Sequence, residues 1–218
     1  MAVVGVDEAG KGPVLGSMFA AAVRWPSDSA PSIAVADSKS ISPDRRQSIA
    51  DQLRATDGVS REVVEVPVSR IDAPESDMNT LTRRAHASAA AAIAKSGDLI
   101  RCDAADVNAE RFGRRLQDAL QAEGVDGLDI RAQHRADERH PVVAAASVLA
   151  KVARDAHVGE LATEYGDIGS GYPSDPTTRT FLEEYIREHG RLPDCARSSW
   201  STSRRALAAA DHRSLDEF

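Results

Sequence analysis

A short apolar run that stops at two adjacent carboxylates is the feature that most limits what this chain can become. Residues 3 to 16 read VVGVDEAGKGPVLG. Val3, Val4 and Val6 are β-branched and suit a buried strand. Asp7 and Glu8 follow, and alternation along a strand sends them to opposite faces. A carboxylate left in a core costs several kcal/mol unless a cation or hydrogen-bond donors compensate it, so the fold must supply one or the other to both. Gly10, Gly12 and Gly16, with Pro13, then make a tight turn where backbone can approach a ligand without Cβ atoms in the way.

Taken alone, the stretch fits three readings. One is a solvated turn after a first strand. A second is a phosphate loop, because Gly5 to Lys11 spells G-x-x-x-x-G-K; that loop calls for Ser or Thr next, and Gly12 stands there instead. Its variable positions would also set two carboxylates against the phosphates. The third is a divalent-metal site beside a turn that grips a nucleic-acid backbone, which needs more carboxylates from elsewhere in the chain.

The remainder alternates strand-like and helix-like segments. Phe19 to Val23 suits a hairpin partner for the first strand, Trp25 to Pro31 a loop, Glu62 to Val68 a strand ending at Pro67, and Leu99 to Asp103 and Leu128 to Ala132 two more strands. Helices are expected from about 43 to 54 behind Ser42, from Asn79 as cap to about Lys95, from Asn108 as cap to Leu120, from His140 to about Thr163, and over 177–188 and 200–210. This order gives an α/β fold with a helical C-terminal part. The expected division is a catalytic domain over 1–160, a helical part over 161–211 and a tail over 212–218.

Asp7, Glu8, Asp103 and Asp137 each lie at or just beyond the end of a predicted strand, where sites assemble in open α/β sheets. Carboxylate oxygens are hard ligands suited to Mg²⁺ or Mn²⁺, and the chain has no His/Cys set for zinc. Four such groups without metal would repel one another. Two divalent ions remove that penalty and give the arrangement used for in-line phosphodiester hydrolysis. Asp106 rivals Asp103 as the third acid, and His134 and His140 flank Asp137 as alternative proton carriers.

Composition frames this reading. No run approaches the 18 apolar residues of a membrane span, and the N-terminus carries no basic region leading into an apolar one, so neither a span nor a signal peptide is expected; the cysteines, in no metal-ligand or disulfide pattern, point to reduced thiols in a cytoplasm. The two cysteines, Cys102 and Cys195, form no disulfide framework. A net charge of −7 looks wrong for a nucleic-acid binder that works through a broad positive field. The make-up matters more: 21 Asp and 13 Glu face 23 Arg and only four Lys, a balance that fits adaptation to high salt, where long-range attraction is screened.

Several stretches resemble one family, type 2 ribonuclease H (ribonuclease HII), in its archaeal form. They are GVDEAGKGPVLGSM at 5–18, DSKSIS at 37–42, CDAADVNAERF at 102–112, HRADERHPVVAAASVLAKVARD at 134–155 and GSGYPSDPTTRTFLEEYIREHG at 169–190. The resemblance implies a ribonuclease H-like fold, a five-stranded mixed sheet flanked by helices with a helical C-terminal extension. It implies metal-dependent cleavage of RNA in RNA/DNA hybrids and at ribonucleotides embedded in duplex DNA, a role in replication and repair. The family's four catalytic carboxylates fall on Asp7, Glu8, Asp103 and Asp137. Its Gly-Arg-Gly turn, which contacts the ribose 2′-hydroxyl, falls on Gly10, Lys11 and Gly12, with Lys in place of Arg. Tyr172 matches the tyrosine that packs on the sugar after the ribonucleotide, and Lys39 a lysine that contacts phosphate. Residues 212–218, HRSLDEF, resemble a sliding-clamp peptide, although His212 replaces the usual Gln. A monomer is expected. A non-catalytic hybrid-binding or clamp-associated module on the same fold is a rival reading, and the presence of all four acids counts against it; the type 3 relative is a rival among enzymes.

Overall fold

The computed structural model describes residues 1–26, 41–75 and 77–216, the last six of these as backbone only. Its centre is a five-stranded mixed sheet in the order β3-β2-β1-β4-β5. The strands are β1 (Ala2–Ala9), β2 (Met18–Pro26), β3 (Ser60–Val66), β4 (Leu99–Asp103) and β5 (Asp129–Gln133). β1 pairs antiparallel with β2 and parallel with β4, and β4 pairs parallel with β5. The opening apolar run is thus the middle strand, which explains why it is continuously hydrophobic: both of its faces are covered.

Helices are α1 (Pro43–Ala55), α2 (Val68–Ile71), α3 (Met78–Ala91), α4 (Ala109–Ala122), α5 (Pro141–Tyr165), α6 (Pro176–His189) and α7 (Ser201–Asp216). On one face of the sheet, Ala9, Ala21 and Val23 pack with Ile49 and Leu53 of α1 and with Val142 to Val152 of α5. On the other, Val4, Val6, Ile100 and Cys102 pack with the alanines of α3 and with Phe112, Leu116 and Leu120 of α4. Period-two alternation therefore assigns Val3, Gly5, Asp7 and Ala9 to the α5 side, and Val4, Val6 and Glu8 to the α3/α4 side. Gly5 is required by this packing, since a Cβ there would lie 2.2 Å from the Val142 carbonyl group.

The elements differ from the sequence expectation in a few places. Trp25 and Pro26 belong to β2 rather than to a loop, because they pair with Val3 and Ala2. β3 ends at Val66, and Pro67 opens the short helix α2. The cap of α3 is Asp77, whose carboxylate accepts the N–H groups of Asn79 and Thr80; the Asn79 side chain accepts Lys11 Nζ instead. That helix ends at Ala91 and not at Lys95, whose N–H is taken by Asp98. Ser42 and Asn108 cap α1 and α4 as expected.

α5 runs unbroken across residue 160 and leads into the C-terminal part. There Leu161, Ile168, Phe181 and Leu182 close on Val14 and Leu15, just beyond the glycine turn. Val14 N–H donates to the Gly171 carbonyl at 2.8 Å, Gly16 N–H to the Cys195 carbonyl at 2.8 Å, and Arg197 N–H to the Val14 carbonyl at 2.8 Å. The stretch after the turn is thus held by two C-terminal segments at once. α7 continues as backbone to Asp216, beyond the expected end at 210. No helix among the described residues is long and apolar enough to cross a membrane.

Candidate active site

Asp7 and Glu8 point to the two faces of β1, and each meets a polar side chain from the helix covering that face. Asp7 is 5% exposed, on the α5 side, and accepts a hydrogen bond from the Ser147 hydroxyl. Its Oδ1 also accepts the Glu8 N–H at 2.8 Å. Glu8 Oε2 lies 2.8 Å from Nε2 of His86, a fully buried residue of α3. The parallel pairing of β1 with β4, with Val6 opposite Cys102, carries Asp103 to the same strand end. Asp103 Oδ1 accepts the Ala136 N–H at 2.8 Å, which pins the turn after β5 and with it Asp137, 7% exposed. In that turn Arg135 adopts a left-handed φ of 56°, a conformation that costs about 1 kcal/mol or more for a residue with a Cβ.

The charges crowd one another. Burial, then the Glu8 charge and, after the opposing Ser147 bond, Asp103 push the Asp7 carboxyl well above the ordinary range. Burial also raises Asp103; the Ala136 N–H opposes it, while Glu8 and Asp137 push it further up. All four acids are therefore within electrostatic reach, and added positive charge would relieve them. Among the described residues no three His, Cys, Asp or Glu side chains enclose a single point.

Beside the acids opens a cleft of about 450 Å³ lined by Glu8, Gly10, Lys11, Gly12, Arg46, Lys151, Arg154, Asp155 and Tyr172. Arg46 and Lys151, with Arg154, give it the positive charge that the whole chain lacks, and sequence reasoning had not singled them out. Arg46 is held by Asp155 at 2.7 Å and by the Ile41 carbonyl. Arg154 donates to the Ser170 carbonyl and lies 5.0 Å from the Tyr172 ring centre. Tyr172 is 39% exposed, and a Cβ on Gly12 would stand 3.6 Å from its ring. The phosphate-loop reading fails because the turn leads into strand β2 and not into a helix.

The turn itself is held from behind. Arg197, fully buried, donates to the carbonyls of Gly10 (2.6 Å), Lys11 (3.1 Å) and Gly16 (2.8 Å), and its guanidinium sits 4.8 Å from the Trp200 ring centre. Burial lowers it to about 10, so it remains cationic at neutral pH. Trp200 Nε1 donates to the Gly12 carbonyl at 3.3 Å. Lys11 reaches sideways: Nζ donates to Asn79 Oδ1 at 2.9 Å and to the Ala105 carbonyl at 2.7 Å.

Other candidates stand apart. Asp106 is paired with Arg111 at 2.6 Å, so its charge is already compensated. His140 Nε2 is engaged by Gln133 and Arg101, and His134 is exposed. Lys39 lies outside the described residues, as do positions 217 and 218 of the tail.

Residues 4–203 match the family model of Ribonuclease HII. A ribonuclease HII of Halobacterium salinarum is 56% identical over 219 residues, covering all of both chains. Among solved structures, the ribonuclease H2 of Pyrococcus horikoshii superposes with a TM-score of 0.88 at 33% identity, covering 97% of this chain and 99% of that one. The ribonuclease HII solved in a PCNA complex from Archaeoglobus fulgidus gives 0.81 at 35% identity, covering 92% and 96%. With a mixed five-stranded sheet of the same kind and a match along nearly its whole length, this chain is a nuclease that belongs to the ribonuclease HII family.

Proposed function

We propose that this protein hydrolyses the RNA strand of RNA/DNA hybrids and cuts on the 5′ side of ribonucleotides embedded in duplex DNA, leaving 3′-hydroxyl and 5′-phosphate ends. The observation that carries this is the gathering of Asp7, Glu8, Asp103 and Asp137 at one strand end, next to a basic cleft and a glycine turn. The four acids are the residues that would hold two Mg²⁺ or Mn²⁺ ions. Bound there, the ions supply an activated water and a stabilised leaving oxygen.

The chain's own groups do the rest. Ser147 and His86 fix the rotamers of Asp7 and Glu8. The backbone of Gly10, Lys11 and Gly12 reads the ribose 2′-hydroxyl, held in place by Arg197 and Trp200. Tyr172 packs on the next sugar, where a missing 2′-hydroxyl marks the RNA-to-DNA step. Arg46, Lys151 and Arg154 take backbone phosphates, as does Lys39. Lys11 braces the turn against Asn79 and Ala105 and adds charge, without the bidentate fork an Arg would offer.

Residues 212–218 are proposed to dock on a sliding clamp, the partner with which the Archaeoglobus relative was solved. Pull-down with and without those residues tests it. The Asp-rich, Lys-poor surface supports work at high salt, in line with the Halobacterium relative.

The deciding assay uses a duplex with one embedded ribonucleotide and a full hybrid, incubated with Mg²⁺, Mn²⁺ or EDTA from low to molar salt. Cleavage at the ribonucleotide that EDTA abolishes is expected. Cleavage that survives EDTA, or none with either ion, overturns the reading.

A further inference from the structure

We infer that His86 is a positioning residue that sets how Glu8 presents itself to a divalent ion. This rests on the reading of Glu8 as a metal ligand. His86 is fully buried on the face of α3 that packs against the sheet, between Ala85 and Ala87, with its ring edge-on to Phe112 at 5.6 Å. Nothing in that apolar setting calls for an imidazole. Among the described residues its one hydrogen-bonding contact is Glu8 Oε2, 2.8 Å from Nε2, and none of them pairs with Nδ1.

The 2.8 Å contact engages Glu8 Oε2 with a side chain that α3 and the Phe112 ring hold in place. With Oε2 engaged by His86, Oε1 would be the oxygen left for a bound ion, and α3 holds the carboxylate in one orientation.

The arrangement mirrors the one at Asp7. Adjacent acids on opposite faces of β1 each meet one polar side chain from the helix on their own side, Ser147 from α5 and His86 from α3. The two helices that sandwich the central strand thus aim the two acids that end it. Outer partners of this kind are worth a factor of roughly 10 to 100 in metal affinity or activity.

The test is Mn²⁺ binding to the full chain, read from the free-ion electron paramagnetic resonance signal, alongside steady-state cleavage of a hybrid. His86→Leu and His86→Met remove the polar contact at similar volume, and His86→Gln keeps an N–H at comparable reach. Both apolar variants should weaken Mn²⁺ binding roughly 10- to 100-fold and lower kcat, with KM for the hybrid within about twofold and His86→Gln within about threefold of the parent. Thermal unfolding in EDTA reports folding separately, and if one apolar variant fails to fold the other decides. Parent-like Mn²⁺ affinity in the apolar variants, or a His86→Gln variant as weak as they are, overturns the inference. Glu8→Gln separates the two levels: if it too binds Mn²⁺ as the parent does, the reading of Glu8 as a ligand falls; if it alone weakens binding, only the role of His86 falls.

Discussion

The Arg197 guanidinium donates to the Gly10 carbonyl at 2.6 Å, joining residues 187 positions apart in the chain. The same group holds the carbonyls of Lys11 and Gly16, so the C-terminal segment sets the shape of the turn beside the acids. Arg197→Lys keeps the charge but loses the fork, and each carbonyl left without a donor costs about 1–3 kcal/mol. A Tm several degrees lower is expected, with KM for a hybrid raised more than kcat is reduced. Calorimetry and steady-state kinetics on the same preparation check both.

Gly12 makes the complementary case. Among the described residues its added Cβ would meet only the Tyr172 ring, at an ordinary 3.6 Å, so Gly12→Ala should leave stability within about 1 kcal/mol. If the backbone of the turn approaches the ribose, the same methyl group obstructs substrate and lowers kcat/KM about 100-fold, roughly 3 kcal/mol. Unchanged cleavage in a stably folded Gly12→Ala variant would remove the turn from the proposed interface.

Gly5→Ala should behave in the opposite way. The new methyl would lie 2.2 Å from the Val142 carbonyl group, so β1 and α5 must separate. A loss of about 3 kcal/mol or more is expected, seen as a lower urea midpoint with no selective effect on KM.

How much of this was legible in the sequence follows from where each residue sits. β4 showed itself as a short strand ending in Asp103, and the parity of β1 sent Asp7 and Glu8 to different faces. Those signals are local. Asp77 and Asn79 are both good caps two residues apart, so the start of α3 could not be placed by residue type alone. Arg46, Lys151, Arg154 and Arg197 reach the cleft and turn from other segments, and only the packing of α1, α5 and the C-terminal segment brings them there. Ser147 and His86 did leave a trace. Each is a polar side chain set in an alanine-rich run, VVAAASVLA and AHASAAAA, and each answers a carboxylate from the next layer.

Asp72 gives the fold a dependence on pH. Burial works against its charge, but the hydroxyl and N–H groups of Ser199 and Ser198 hold it below the ordinary carboxylate range. A lowered folded-state value adds stability above about pH 4, where the unfolded chain ionises, and that stability is lost as pH falls through the folded value. Acid should therefore loosen the segment that carries Arg197 and Trp200. Asp72→Asn should lower stability at neutral pH and flatten its fall below about pH 4, as urea titrations at fixed salt would show.

Asp7→Asn tests the central claim most directly. Burial and the neighbouring acids already disfavour the charge on Asp7, so the neutral variant should fold at least as stably in EDTA. Assayed on a duplex with one embedded ribonucleotide, it should bind substrate with near-parental affinity and show no cleavage in Mg²⁺ or Mn²⁺. Substantial cleavage by this folded variant would contradict the account.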